Sequence, residues 1–535
     1  MPPSRKDLIK PKSKAKGKLK PQEPQSENDF LEQADEFEQA AGKWRAGDVA
    51  KATRFFMRAI EAYNAGLQRY PTSFDLAYNK ANLEYTMIDD PRIATALGPK
   101  VTLLEQTLAS HRMATDLDPS NTDILFNTAQ VLTSLSELLL ENVTGEKGSA
   151  RGHLEEAVSI FTKCLVVQQA EYEQTQADLA AASAMSLSED QGVSEQEAVQ
   201  NEEAMETEST SGSSTPGDWA TVVEPLTPTS ILETCTAQLA ALTTLLSLYD
   251  PSDLPSIESL AQNGLETANI KIPTLITLIQ SSPSSKPIEE PAPGPTLSIG
   301  AASAVDEPEA PPESDALIAV ANFQTSLAEI SYRNGRSDAS QYAAQIEQLF
   351  APLTATPEKT SEFDPGFTNA LSAYADAHIE LASAVSDPDV QWASLTKAQT
   401  LLTQISKYTA ILSPSRMADI FAARGDTDLF RFQLSLSEQA KSTWVKSKPV
   451  LVANAGVFYR GARTYAEKAG AGDIHKTSDA KAIVAEILKQ AASGVEEKKT
   501  EWKGKGEIIV RVLEQMIEEG IVGRENAEGV LRFIR

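Results

Sequence analysis

The sequence predicts an all-α protein built as an array of helix pairs, and three observations predict it. Residues 75–84 read DLAYNKANLE and residues 123–132 read DILFNTAQVL. Asp75/Asp123, Leu76/Ile124, Tyr78/Phe126, Asn79/Asn127, Ala81/Ala129 and Asn82/Gln130 thus recur at an offset of 48 residues. Apolar residues around both stretches are spaced by three and four, the period of one helix face. Composition agrees, since Ala, Leu, Gln and Glu dominate these stretches and aromatic residues make up only 6%, a balance that favours helix over sheet.

Taken in order, residues 1–28 are rich in Lys, Pro, Gln and Ser and lack apolar periodicity, the signature of a disordered basic tail. Helical pattern begins at Asp29. In AGDVAKATRFFMRAIEA, Gly47-Asp48 separates two helices, and Ala52, Phe56 and Ala59 share one face of the second. GHLEEAVSIFTKCL repeats this small–large–small spacing with Ala157, Phe161 and Cys164. In ATDLDPSN, Pro119 stops a helix and Asn121 or Thr122 can cap the next. Small residues at such positions let helices approach closely while the aromatic fills the space between pairs.

These features resemble the tetratricopeptide repeat, a helix–turn–helix unit of about 34 residues. The resemblance rests on the Gly-Asp turn, the Ala…Phe…Ala second helix, the terminal Asp-Pro, and Asn79/Asn127 with Ala81/Ala129 in the first helix. It implies an α-solenoid superhelix with repeats over 29–170. The offset exceeds one repeat by 14 residues, and Pro91, Gly98 and Pro99 suit a loop near 88–102 as the insertion.

Residues 171–227 read as an acidic low-complexity insertion, with 11 acidic residues and no Lys or Arg between 171 and 216; its first part can extend a helix. Helical repeats resume over 228–280, where Leu232, Cys235, Leu239, Leu242 and Leu246 form a stripe. Residues 281–315 contain eight prolines and read as a loop. Degenerate helix pairs follow over 316–535. One of them has Ala398 and Leu402 at inner positions, and GEIIVRVLEQMIEEG reads as a C-terminal cap.

Charge narrows the function. The formal net charge is −27, yet residues 1–20 carry Arg5, Lys6, Lys10, Lys12, Lys14, Lys16, Lys18 and Lys20 against Asp7, so the other 515 residues hold −34. Such a body repels nucleic acid and attracts basic partners, although acidity also serves solubility alone. Two cysteines, Cys164 and Cys235, exclude a disulfide scaffold and point to core thiols in a reducing compartment. No apolar run approaches the ~20 residues of a membrane span. The tail lacks the apolar core of a secretory signal. Cytoplasm and nucleus are the expected locations.

No catalytic constellation emerges. His111, His153, His378 and His475 are scattered, without metal-binding spacing. GEKGSARG (145–152) and GKGE (504–507) fall short of a phosphate-binding loop. His111 takes the aromatic packing position of a repeat helix. A non-enzymatic protein without cofactor or metal is expected.

By the register of the resemblance, groove positions fall on Asp75, Tyr78, Asn79, Asn82 and Tyr85 in one helix. Asp123, Phe126, Asn127, Gln130 and Ser134 take them in the other. The alternative is a plain solvated face. Relatives that hold acidic chaperone tails place lysines at these positions; an acidic and aromatic face suits a Lys/Arg-rich segment instead.

Basic tail, repeat array, acidic insertion and overall acidity together resemble the fungal dedicated assembly chaperones of ribosomal protein L-four of the large subunit. That resemblance implies capture of newly made L-four, masking of its basic loop and extension, escort to the nucleus and release on the pre-ribosome. A nuclear import receptor and the pre-ribosome are further implied partners. A tetratricopeptide co-chaperone and a scaffold subunit of a multiprotein complex are the competing readings. The acidic run reads equally as a polyanionic contact or a solvated spacer. The basic tail reads as an import signal, an RNA contact or a solvated extension.

Overall fold

A computed structural model describes residues 24–141, 147–189, 226–281, 308–355, 363–494, 502 and 504–534. Every regular element among them is helical. The chain divides into two compact units, Met1–Val131 and Leu132–Arg535.

In the first unit, α1 (Glu27–Arg45) and α2 (Val49–Arg69) form the opening pair. Ser26 starts α1 with a reciprocal capping box with Asp29, so Glu27 and Asn28 belong to the helix rather than the tail. The turn at Gly47-Asp48 is as expected, with the Asp48 carboxylate accepting from the Lys51 amide at 2.9 Å. Ala52, Phe56 and Ala59 are all buried, in a core with Phe30, Ala34, Tyr63 and Leu76. Burying a side chain such as Phe56 contributes roughly 1.5–3 kcal/mol. At Gly66 an added Cβ would lie 2.9 Å from Leu76 of α3 (Phe74–Asp89), so close approach of α2 and α3 requires glycine there.

The second pair is α3 and α5 (Lys100–Leu117), and the insertion between them is not a plain loop. It folds into a short helix, α4 (Pro91–Leu97), which buries Ile93 and Ala94. Asp90 starts it. Its carboxylate takes two bonds from the Arg92 guanidinium (3.1 and 2.9 Å) and one from Arg45 of α1 (3.1 Å). The Arg92 bonds above all, with that of Arg45, hold the Asp90 carboxyl down at about 2 despite burial. Proline and glycine mark the ends of this segment, while two apolar residues one turn from a buried charge cluster decide its middle.

α6 (Thr122–Glu141) and α7 (Lys147–Glu189) follow. α7 continues well past residue 170, so the first 19 residues of the expected acidic insertion are helical, with Glu171, Glu173 and Asp178 hydrogen-bonded along its surface. Residues 190–225 lie outside the described residues. The Leu232–Leu246 stripe, including Cys235, is fully buried in α8 (Pro228–Ser247). α9 (Leu254–Glu266) runs through a π-helical turn, Thr267–Lys271, into α10 (Ile272–Ser281). Inside that turn the Thr267 hydroxyl donates to Gln238, whose amide donates to Thr162, joining α7, α8 and the turn through buried polar groups. A Cβ at Gly264 would lie 2.1 Å from the Phe323 ring.

Of the Pro-rich stretch, 282–307 lie outside the described residues, while Pro312 already opens α11 (Pro312–Arg333). Then come α12 (Ala339–Phe350), α13 (Pro365–Ala384), α14 (Pro388–Ile405), α15 (Pro414–Leu434), α16 (Ser442–Ala469) and α17 (Gly472–Ser493). Ala398 and Leu402 are buried as expected. α18 (Gly506–Glu518) carries the expected cap sequence but is not terminal, since α19 (Arg524–Ile534) packs beside it. Within each unit helices pack mainly on those one or two places away in the chain, the nearest-neighbour order of helical-repeat proteins. The fold is all-α and tetratricopeptide-like.

Candidate functional site

The 48-residue offset is a true register. Ser73 caps α3 by accepting from the Leu76 amide, and Asn121 caps α6 by accepting from the Asp123 and Ile124 amides, so Asp75 and Asp123 sit two residues past their caps. Leu76, Ala77 and Ala81 are buried on α3; Ile124, Leu125 and Ala129 are buried at the matching places on α6. Ala77, Ala114 and Ile124 join α3, α5 and α6 in one apolar cluster, flanked by Phe74 and Tyr78.

With the inner face fixed this way, the other positions turn outward together. Asp75, Asn82 and Asp123 are exposed, while Tyr78, Asn79, Tyr85, Phe126, Asn127, Gln130 and Ser134 are half-buried. The structure brings three of them together: the Asn127 side chain and the Tyr78 hydroxyl are hydrogen-bonded, and the charge of Asp123 acts on Tyr78. Burial first, and Asp123 second, raise the Tyr78 pKa; the Asn127 bond opposes them. Tyr78 also stacks on Phe74 at 5.6 Å, and Asn79 donates back to the Asp75 carbonyl at 2.9 Å. Asp75 and Asp123 have no cationic partner among the described residues. As first-turn acids they also favour the positive ends of their own helices.

Tyr85 has a second duty. Its ring meets His111 edge-on at 6.3 Å, so it packs α3 against α5 at one end of the face. His111 is fully buried, its Nδ1 2.9 Å from the Thr107 carbonyl, and burial lowers its pKa, keeping it neutral. Ser134 lies two turns along α6 from Asn127. The tail cations Arg5, Lys6, Lys10, Lys12, Lys14, Lys16, Lys18 and Lys20 lie outside the described residues.

A concave region in the second unit escaped sequence reasoning. A cavity of about 410 Å³ is bounded by α8, α11 and α13, with Thr325, Glu329, Asp376 and Glu380 in its walls. Glu329 and Glu380 also border a neighbouring cavity of about 330 Å³, which Asp426 and Glu519 reach from the far side. The only local signal was Asp376 and Glu380 spaced by four on a helix otherwise rich in alanine, a pattern common on solvated faces.

No family model matches the chain. Over 124 residues it is 29% identical to UPF0656 protein C926.02 of Schizosaccharomyces pombe, a match covering 23% of this chain and 27% of that protein. The chain thus spans about a quarter of the length of this curated relative. Among solved structures it is similar to Nro1, a hypoxic regulator of sterol synthesis and nuclear import adaptor, at 11% identity and a TM-score of 0.32, covering 75% of this chain and 93% of that one. A circular tandem repeat protein gives 12% identity and a TM-score of 0.28, covering 95% and 99%. Yeast Tom70 gives 11% and 0.16, covering 94% and 96%. These similarities are too slight to carry function.

Proposed function

We propose that this protein is a binding protein for a basic polypeptide, which it captures on the outward face of α3 and α6 and protects until assembly. The carrying observation is that face itself. Exposed Asp75 and Asp123 flank the half-buried Tyr78, Phe126, Asn79 and Asn127, and no cation among the described residues pairs with either carboxylate. Lysine and arginine side chains find there both opposite charge and aromatic faces. A free basic protein needs such cover because unpaired cations bind RNA indiscriminately, and rRNA can later compete the client away.

The sequence resemblance supports a sharper reading: the client is ribosomal protein L-four, and the chaperone escorts it from cytoplasm to nucleus, with residues 1–20 engaging an import receptor. No helix among the described residues is long and apolar enough to cross a membrane. Affinity purification from translating cells tests both levels. Recovery of one basic ribosomal protein together with its messenger RNA is expected. Recovery of heat-shock chaperones through their acidic tails, or of several large subunits at fixed stoichiometry, would replace this reading with a co-chaperone or a scaffold.

A further inference from the structure

We propose that residues 10–20 of this same chain dock on the outward face of α1, α3 and the first turns of α6, holding the place of a basic client until one displaces them. This rests on the proposed function and adds its regulation, within the compact unit Met1–Val131.

The face extends onto α1. Ser26, Ser73 and Asn121 cap α1, α3 and α6, and Ala34, Ala81 and Ala129 are buried eight residues past those caps. α1 therefore shares the register, and its Glu32 and Asp35 fall where α3 carries Asn79 and Asn82. Both are exposed, as are Asp75 and Asp123. Asp35 accepts from the Gln39 amide at 2.8 Å, and no cation among the described residues pairs with any of the four. Exposed carboxylates select no ligand by themselves. Where the chain enters, and how its charges are spaced, decide the occupant.

The chain enters beside this face. The described residues begin at Pro24, whose carbonyl accepts from Arg69 Nη1 at 2.8 Å; the Gln25 carbonyl accepts from the Tyr70 hydroxyl at 2.7 Å. The Ser73 hydroxyl at the start of α3 donates to the Glu27 carboxylate. These three bonds fix the departure of the tail beside the first turn of α3, which carries Asp75. At about 3.5 Å per extended residue, Lys20 lies within about 14 Å of Pro24 and Lys14 within about 35 Å. Neighbouring helices pack about 10 Å apart, so crossing from α1 to α6 takes about 20 Å. The tail can reach every carboxylate of the face.

Its charge pattern fits. Lys10, Lys12, Lys14, Lys16, Lys18 and Lys20 take every second position, with no acid among them. In an extended segment alternate side chains point the same way, so all six meet one face at intervals of about 7 Å. That interval is finer than the helix spacing, and each carboxylate meets an ammonium without a fixed register. Tethering supplies an effective concentration on the order of millimolar, against which a free client must compete. A client that covers the face releases the tail, so only loaded protein presents residues 10–20 to another acidic partner.

Carbodiimide cross-linking of the full-length protein tests this, since it joins an amine to a carboxylate only within ion-pair reach. Mass spectrometry of the monomer should find residues 10–20 linked to Glu32, Asp35, Asp75 or Asp123, and a saturating peptide of alternating Lys and Gly should abolish those links. In fluorescence anisotropy with that peptide labelled, Lys14→Gln/Lys16→Gln/Lys18→Gln/Lys20→Gln should bind about three- to ten-fold more tightly than wild type at 50 mM salt. Absence of these links, or equal affinity, would overturn the docking. Tighter binding without the links would assign the gain to long-range repulsion and overturn it too. Links found only in a dimer would make the occupant a second copy's tail and reject the intramolecular contact. If docking fails while Asp75→Lys/Asp123→Lys still abolishes peptide binding, the function proposed above survives without it. Failure of wild type and variant alike to bind the peptide overturns that function, and the cross-links still decide where the tail lies.

Discussion

The Asn127 side chain and the Tyr78 hydroxyl are hydrogen-bonded, linking two outward-facing residues 49 positions apart in sequence. This bond holds the aromatic ring of α3 beside Asp123 of α6 instead of leaving it free to turn. Tyr78→Phe removes the hydroxyl while keeping the ring. It should cost about 1 kcal/mol of stability in denaturant melts, the usual net value of one such bond, and leave capture of a basic peptide nearly unchanged.

Charge on the same face should matter far more for binding. Asp75→Lys/Asp123→Lys is expected to weaken the Lys/Gly peptide by about ten-fold at 50 mM salt and by much less at 500 mM, since exposed charges are screened within about 10 Å or less. Equal loss at both salt concentrations would show that the variant damages folding instead.

A buried ion pair makes the second unit sensitive at another point. Lys481 Nζ lies 2.8 and 2.9 Å from the two Asp426 oxygens, and the Tyr459 hydroxyl donates to the same carboxylate at 2.8 Å. Burial works against the Lys481 charge, yet Asp426 outweighs it and raises its pKa. Lys481→Ala should destabilise by about 3–5 kcal/mol in chemical denaturation, because it strands a carboxylate in the protein interior. Lys481→Met with Asp426→Leu should recover much of that loss; no recovery would mean the lysine acts through packing.

The carboxylates of the 410 Å³ cavity give a pH signature. In the folded state Glu380 stands near 7 and Asp376 near 6, both above their ordinary values of 4.5 and 3.8. The folded protein therefore holds these protons longer than the unfolded chain, and the two groups make stability fall as pH rises from about 4 to 7. Glu329 with Arg333, Tyr342, Asp426 and Glu519 face them from neighbouring elements. Melting curves should place Asp376→Asn/Glu380→Gln above wild type at pH 8 and level with it at pH 4. A constant difference across this range would assign the effect to packing.

The two thiols should be silent in the native protein. Cys164 and Cys235 are both fully buried, and burial pushes the Cys235 thiol up to about 12. A thiol-reactive dye at pH 8 should label neither rapidly, and both after denaturation.

Much of this was legible from spacing. Ala52, Phe56, Ala59, Ala157, Phe161 and the Leu232–Leu246 stripe are buried as their periodicity requires, because a helix presents every third and fourth residue to one neighbour. The insertion after α3 was misread: Pro91 and Gly98 signal chain breaks, but the ionic anchor of α4 comes from Arg45, 45 residues upstream of Asp90. After residue 170 the helix continues as the first part of the acidic run allows, with the Glu173 and Asp178 carboxylates accepting from Gln169 and Gln174 one turn back along α7.

What the sequence by itself determined is the helical-repeat character, the 48-residue register and the acidic, lysine-free face of α3 and α6. All three depend on contacts between residues a few positions apart, or on charge that needs no fold to be counted. Tertiary structure alone decided which carboxylates lack partners. Arg333 neutralises Glu329 on its own helix, yet Asp376 and Glu380, one turn apart on α13 at the same cavity, meet no cation among the described residues. Burial and the direction of a side chain across such a gap arise from long-range packing, which no local pattern encodes.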